Sequence, residues 1–529
     1  MDETEKDQPL WWQRGIVYQV YPRSFQDTNG DGVGDLAGIR RRLDYLDGLG
    51  VDAVWISPIY PSPMADFGYD VADYCGVDPL FGTLADFDAL VTEAHARGLK
   101  VILDFVPNHT SDRHPWFLDS RSSRESAKRD WYIWRDGKAD GVPPNNWISH
   151  FGGPAWAYDN ATGQWYLHSF LRQQPDLNWR NPDVRRAMYD ALRFWLRRGV
   201  DGFRVDVIWL LIKDEALRDN PLNPAWQPPG AEIGKTIQLY NSDRPEVHEV
   251  IAEMRAVLDE FNERVLIGEI YLPLERLVTY YGTELKGAQL PFNFQLLETA
   301  WDARAIAKAI ADYERLLPAG GWPNWVLGNH DRPRIAARVG GDQARVAAML
   351  LLTLRGTPTM YYGDEIGLSR VDIPPGAAQD PWEKNEPGHG RDASRTPMQW
   401  DETALAGFTT AAKPWLPLDG DYSRQNVAVL GRAADSILNL YRALIRLRRA
   451  HRALSSGAFR MLDVTDATIV FERSWRDERF VVALNLSSDP QPLLALPGAE
   501  IVLSTMMDRT GVLGDVHLRG NEGLVLKPR

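Results

Sequence analysis

Gly202-Phe203-Arg204-Val205-Asp206-Val207 sets two charges into an apolar, strand-like run. Side chains alternate along a strand, so Arg204 and Asp206 share one face. On an exposed antiparallel strand that face would simply be solvated. In a parallel barrel both faces are covered, and an inward Arg–Asp pair then needs a chemical reason. Glu269 closes Val-Leu-Ile-Gly-Glu, and Asp331 closes Val-Leu-Gly-Asn-His-Asp. Charge at the tip of a hydrophobic strand is costly to bury, so three such placements point to one shared, carboxylate-rich site.

Working outward, apolar runs at 16–21, 53–57, 101–106, 288–292 and 358–363 join 202–207, 265–269 and 325–330 as strand candidates. Between them the period becomes helical. Leu36, Ile39, Leu43, Leu46 and Leu49 mark one apolar face, closed by Gly50. Asn181 and Pro182 open a helix running to Gly199, and 245–261 and 433–451 read similarly. Eight strand-plus-helix units predict an α/β chain folded as a closed (β/α)8 TIM barrel. An open doubly wound sheet is the alternative; no Gly-x-Gly-x-x-Gly follows the first strand to support it.

The connection 107–177 is too long for an ordinary loop and predicts an inserted domain after the third strand. It divides the barrel into 1–106 and 178–455. A second irregular stretch, 372–407, should cover the same end of the barrel. Short strands at 459–464, 468–473, 480–486, 501–504 and 524–526 predict a C-terminal antiparallel β-sandwich domain over 456–529.

With 44% hydrophobic and 25% charged residues in 529, the composition is that of a globular protein. A net charge of -13 argues against nucleic acid as a partner. The single cysteine, Cys75, rules out an internal disulfide. The polar, acidic start 1–7 does not read as a signal peptide, and no apolar run approaches the roughly 20 residues that span a bilayer. These features predict a cytoplasmic protein without a membrane partner. Most of the 20 tryptophans belong to a core, but flat sugar faces also stack on aromatics.

Paired carboxylates flanking a bond are what glycoside hydrolysis requires. Arg204 beside Asp206 favours its ionised form, as a nucleophile needs. Desolvation at the end of an apolar strand favours protonated Glu269, as a leaving glycosidic oxygen needs. His109 and His330 stand at the ends of the third and seventh strands, where barrel active sites assemble, and neutral imidazoles there can bond sugar hydroxyls. Separately, Asp27, Asn29, Asp31, the Val33 carbonyl and Asp35 offer oxygens at every second position. That is the first part of an EF-hand-like loop, although Gly38 stands where the bidentate Glu belongs. A structural Ca2+ is expected there, with Mg2+ as the second candidate.

The segments at 104–109, 202–206, 269 and 329–331 resemble the four signature regions of the α-amylase superfamily, glycoside hydrolase family 13. The opening 11–34, Gln174-Pro-Asp-Leu-Asn-Trp179 and Arg395-Thr-Pro-Met-Gln-Trp400 are similar to its oligo-1,6-glucosidase and α-glucosidase branch. The resemblance spans nearly the whole chain. It implies Asp206 as nucleophile, Glu269 as acid/base and Asp331 as the transition-state stabiliser. It also implies Arg204, His109 and His330 around the innermost glucose, with Gln174 among the substrate-binding residues. Asp66, Tyr69 and Arg391 would close the pocket, and Phe151 and Phe170 would wall it. Phe67 departs from the Asn frequent in that branch, and Val207 resembles its α-1,6-active members.

The implied reaction is retaining, exo-acting hydrolysis of terminal glucose from short α-glucosides: isomaltose, maltose, sucrose or trehalulose. The two carboxyls would then stand about 5–5.5 Å apart. A sucrose isomerase or trehalose synthase-type transglycosylase is the rival reading, although the isomerase-type Arg-Leu-Asp-Arg-Asp string is absent between Glu269 and Asp331. Amino-acid-transporter heavy chains resemble the fold too, but lack the full set of carboxylates that this chain keeps.

Overall fold

The computed structural model describes residues 9–374, 376–493, 498–512 and 517–528. The acidic start 1–7 lies outside the described residues. Eight short parallel strands form the centre: β1 (Val17–Val20), β2 (Ala53–Ile56), β3 (Lys100–Phe105), β4 (Gly202–Val205), β5 (Val265–Gly268), β6 (Leu290–Pro291), β7 (Asn324–Val326) and β8 (Thr357–Tyr361). Their order, β7-β8-β1-β2-β3-β4-β5-β6, makes a nearly closed barrel. The open seam between β6 and β7 is bridged by one side chain. Asn324 Oδ1 accepts from the Asn293 N–H at 2.9 Å, and its Nδ2 donates to the Pro291 carbonyl at 2.5 Å.

Apolar periodicity produces the outer helices. In Pro182–Arg197 the buried residues are Val184, Met188, Ala191, Leu192, Trp195 and Leu196, one face of a helix capped by Asn181. The run 36–49 is two helices, not one: Leu36–Arg41 and Leu43–Leu49 break at Arg42. The Arg42 guanidinium lies 3.9 Å over the Trp400 ring, and its Nε donates to Gln26 at 2.8 Å. The helix expected from 433 begins at Ile437 behind the Ser436 cap, and a short helix, Val427–Arg432, precedes it.

Several strands also end earlier than their apolar runs. β4 stops before Asp206, β5 before Glu269 and β7 well before His330. The charged residues therefore occupy the loops just beyond the barrel's C-terminal rim.

Between β3 and β4 lies a small three-stranded antiparallel sheet, ordered Trp134–Arg135, Gln164–Leu167, Trp156–Asp159. After the barrel comes a six-stranded antiparallel sheet with a two-stranded partner. One face of the larger sheet presents Val470, Val481, Ala483, Leu524 and Leu526 to the smaller one's Leu518. Its other face, with Ile469, Phe471, Phe480, Val482, Leu484 and Val525, joins the apolar core of the barrel. Among the described residues, no helix is long and apolar enough to cross a membrane.

Candidate active site

A cavity of about 440 Å3 opens at the C-terminal rim of the barrel. Asp206, Glu269 and Asp331 all line it, with Asp66, Tyr69, Phe151, Phe170, His330 and Arg391. Three carboxylates from three strand ends thus meet around one space. His109, Gln174 and Arg204 stand behind the wall as supports.

Arg204 is fully buried and is the hub. Its Nη1 donates to Asp206 Oδ1 at 2.8 Å and Asp104 Oδ1 at 2.7 Å, and its Nη2 lies 2.7 Å from Glu269 Oε2. One planar guanidinium thereby orients the carboxylates of β4 and β5 together. The Val207 N–H adds a bond to Glu269 Oε2 at 2.8 Å.

Expectation fails at one point here. Burial pushes the Asp206 carboxyl well above its usual range; Arg204 opposes this, while Glu269, Asp104 and Asp331 reinforce it. Neighbouring carboxylates in a dry site oppose one another's ionisation, which adds to the rise that burial causes at Asp206.

Asp331 behaves oppositely. Burial alone would raise it, but His330, Arg391 and Arg395 hold it well below the usual carboxylate range. Arg391 Nη1 lies 3.0 Å and Arg395 Nη2 2.8 Å from Asp331 Oδ1. Both arginines are therefore engaged by Asp331, and Arg391 alone of the two reaches the cavity wall. Arg391 Nη2 also donates to Asp66 Oδ1 at 2.8 Å and to Asp380 Oδ1 at 2.8 Å, and Arg391 and Asp66 both line the cavity. Burial raises the Asp66 carboxyl to about 6 against the pull of Arg391.

His109 bonds to the Tyr69 carbonyl at 3.0 Å and to Gln174 at 3.1 Å, and burial lowers its imidazole to about 4. Gln174 also donates to Asp66 Oδ2 at 3.3 Å. Phe151 and Phe170 meet edge to face at 5.5 Å, and Arg391 lies 4.7 Å over Phe151.

Sequence reasoning missed part of the cavity lining: Trp209, Ile233, Thr236, Gln238, Tyr271 and Trp382. Ile233, Thr236 and Gln238 come from an irregular connection after β4 whose only signal was its prolines, Pro221, Pro224, Pro228 and Pro229. Trp382 comes from the stretch 372–407, which does cover this end. Glu386 ties these loops together: it accepts from the Glu232 N–H at 2.8 Å and from Trp382 Nε1 at 2.9 Å.

The expected cation loop lies apart from the cavity. Asp27 Oδ1 accepts from the Asn29 and Gly30 N–H groups at 3.0 and 2.8 Å, and Asp31 Oδ1 from the Val33 N–H at 2.8 Å. Asp35 caps the helix Leu36–Arg41 through Gly38 and also holds Thr28. Asp27 and Asp35 are buried, and among the described residues neither has an Arg or Lys partner. Buried carboxylates without a counter-charge suit a divalent cation, although no group of three acidic, His or Cys side chains converges there among the described residues.

Comparison with known proteins agrees with this geometry. Residues 19–457 match the family described as Alpha amylase, catalytic domain. A probable α-glucosidase of Rhizobium meliloti (strain 1021) is 43% identical over 500 residues, covering 90% of each chain. The oligo-1,6-glucosidase of Parageobacillus thermoglucosidasius is 38% identical, covering 98% of this chain and 99% of that one. Among solved structures, the α-glucosyl transfer enzyme XgtA superposes with a TM-score of 0.92 at 41% identity over 99% of this chain and 100% of that one. The trehalulose synthase MutB of Pseudomonas mesoacidophila MX-45 does so with 0.90 at 35% over 98% and 100%. With the family matched across the barrel and the carboxylates gathered at its rim, this chain belongs to the α-amylase family and is a glycoside hydrolase.

Proposed function

We propose that the enzyme is a retaining, exo-acting α-glucosidase that releases terminal glucose from short α-glucosides such as isomaltose, maltose, sucrose or trehalulose. The observation that carries this reading is the lining of one cavity, where Asp206, Glu269 and Asp331 stand together with the Asp66–Arg391 ion pair. In this reading that ion pair closes one end of the cavity, which then accepts one chain terminus and excludes the middle of a polymer.

In this reading Asp206 attacks the anomeric carbon while Glu269 gives its proton to the departing oxygen. Glu269 then takes a proton from water, which cleaves the glycosyl-enzyme. Arg204 keeps both carboxylates aimed at one linkage, and ionised Asp331 stabilises positive charge on the sugar ring.

The second reading, a sucrose isomerase or trehalose synthase-type transglycosylase, draws on the likeness to XgtA and MutB, named for glucosyl transfer and trehalulose synthesis. Product analysis on isomaltose, maltose, sucrose and trehalulose separates the two. Free glucose, first seen as its α-anomer, is expected; isomerised disaccharide as the main product would favour the rival. Asp206→Ala, Glu269→Gln and Asp331→Asn should each lower turnover by several orders of magnitude. Near-wild-type hydrolysis by any of these folded variants would remove the assignment.

A further inference from the structure

Asp104, one residue before the end of β3, is fully buried and not part of the cavity lining. Its Oδ1 is taken by Arg204, and its Oδ2 accepts from the Tyr69 hydroxyl at 3.0 Å and from Trp55 Nε1 at 3.3 Å. A hydroxyl has one hydrogen, and a carboxylate only accepts. The Tyr69 hydrogen is therefore spent on Asp104.

Tyr69 Oη also lies 2.7 Å from His330 Nε2. With the hydroxyl hydrogen committed, that contact must be an N–H donated by His330. Nδ1 is then bare, and Gln19 Nε2 meets it as a donor at 2.8 Å. The opposite tautomer would set Nδ1–H against that NH2 group. It could form only if the amide turned over to offer Oε1, which now has no partner. Burial also pushes the His330 imidazole well below its usual value, so the ring is neutral and its tautomer is the one proton choice left.

The geometry points to Asp104 as a positioning residue that, through Tyr69, fixes His330 in the tautomer whose Nε2–H faces Asp331 and the cavity. His330 Nε2 lies 3.2 Å from Asp331 Oδ2 as well as 2.7 Å from Tyr69 Oη, so its one hydrogen, donated to Tyr69 in the free enzyme, is within reach of Asp331 and of a hydroxyl of the bound glucosyl ring. The role rests on the proposed function only in that last step; the tautomer itself is a property of the free enzyme.

Asp104→Asn is the informative change. Arg204 can only donate, so it holds the introduced amide's oxygen and turns the NH2 toward Tyr69. The Tyr69 hydroxyl then accepts from that amide and donates to His330 Nε2, which moves the imidazole hydrogen to Nδ1. Enzyme carrying 15N-labelled histidine, with His330 assigned by difference against His330→Gln, reads the tautomer directly by NMR. We expect Nε2–H in the wild type, Nδ1–H in Asp104→Asn with kcat/KM down about 100-fold, and a return to Nε2–H in Asp104→Asn/Tyr69→Phe. Nδ1–H in the wild-type enzyme overturns the inference, even if Asp104→Asn does not fold. An unchanged tautomer in folded Asp104→Asn overturns it as well, and a shifted tautomer with unchanged kcat/KM removes the positioning role. Failure of the α-glucosidase reading would instead appear in the products while leaving the tautomers as stated.

Discussion

Val207 has φ 40° and ψ 45°, a left-handed conformation that β-branched residues avoid. Such strain costs about 1–3 kcal/mol and persists only where the surroundings fix it. Here it aims the Val207 N–H at Glu269 and places the side chain on the cavity wall. Val207→Thr keeps the branching and adds a hydroxyl, so kcat/KM for isomaltose relative to maltose should fall. A wild-type enzyme that strongly prefers maltose would refute this reading of Val207. Phe67, the departure from the family branch, is also left-handed at φ 49°, a conformation that Asn tolerates far better. Its ring instead packs at a tilt 5.3 Å from Trp415, under the Arg23 guanidinium at 5.0 Å. Asp66 gives a pH prediction. Its folded value of about 6 lies above the unfolded one, so it is ionised and paired with Arg391 only at higher pH. KM should therefore rise as pH falls through about 6, and Asp66→Asn should raise KM at pH 7 while flattening that dependence. A KM that stays constant from pH 7 to pH 5 would contradict it.

The loop from Asp27 to Asp35 is the element whose stability a cation would control. Its turns are already held by side chain to N–H bonds, and it is pinned to the later chain where the Asp27 N–H meets the Phe408 carbonyl at 3.0 Å. A bound Ca2+ or Mg2+ would neutralise buried Asp27 and Asp35, so chelation should lower Tm by several degrees and re-addition should restore it. An unchanged Tm would mean that the hydrogen bonds alone suffice. At this scale the sequence was most legible where a pattern is local. Apolar runs marked all eight barrel strands, and Asn181 marked the start of its helix. The run 325–330 read too long because Leu327 is as apolar as a strand residue, yet the chain is already turning toward Asn329. The wall from 231 to 238 was illegible for a different reason: loop backbones have no period, and their placement depends on partners such as Glu386, distant in sequence. The direction for Asp206 was misread similarly. Arg204 is two residues away in the chain, whereas the burial that raises Asp206, and the crowding by Glu269, Asp104 and Asp331 that adds to it, arise only on folding.

Across the whole molecule, the C-terminal sheet is fused to the barrel rather than appended to it. Phe471, Val482, Leu484 and Val525 lie in the same apolar cluster as the barrel helices. Arg473, fully buried on the strand Thr468–Trp475, donates to the Thr353 carbonyl at the end of the helix Gly341–Thr353, and to the Gly457 and Ala458 carbonyls at 3.0 and 3.2 Å. Arg448, on the barrel helix Ile437–Ala450, donates to the neighbouring Leu352 and Leu354 carbonyls at 3.0 Å each. Buried carbonyls stripped of their donors cost about 1–3 kcal/mol each, and neither arginine can be removed without stripping several. The two parts should therefore unfold together. Calorimetry should show one transition, and Arg473→Met should move it down as a unit by several degrees, with loss of activity following the same curve. Removing residues 456–529 should leave a chain that does not accumulate folded, because it bares the barrel's share of the common core. Two separated transitions in the intact enzyme, or a truncated barrel that stays folded and hydrolyses an α-glucoside, would show instead that the sheet is a separable attachment.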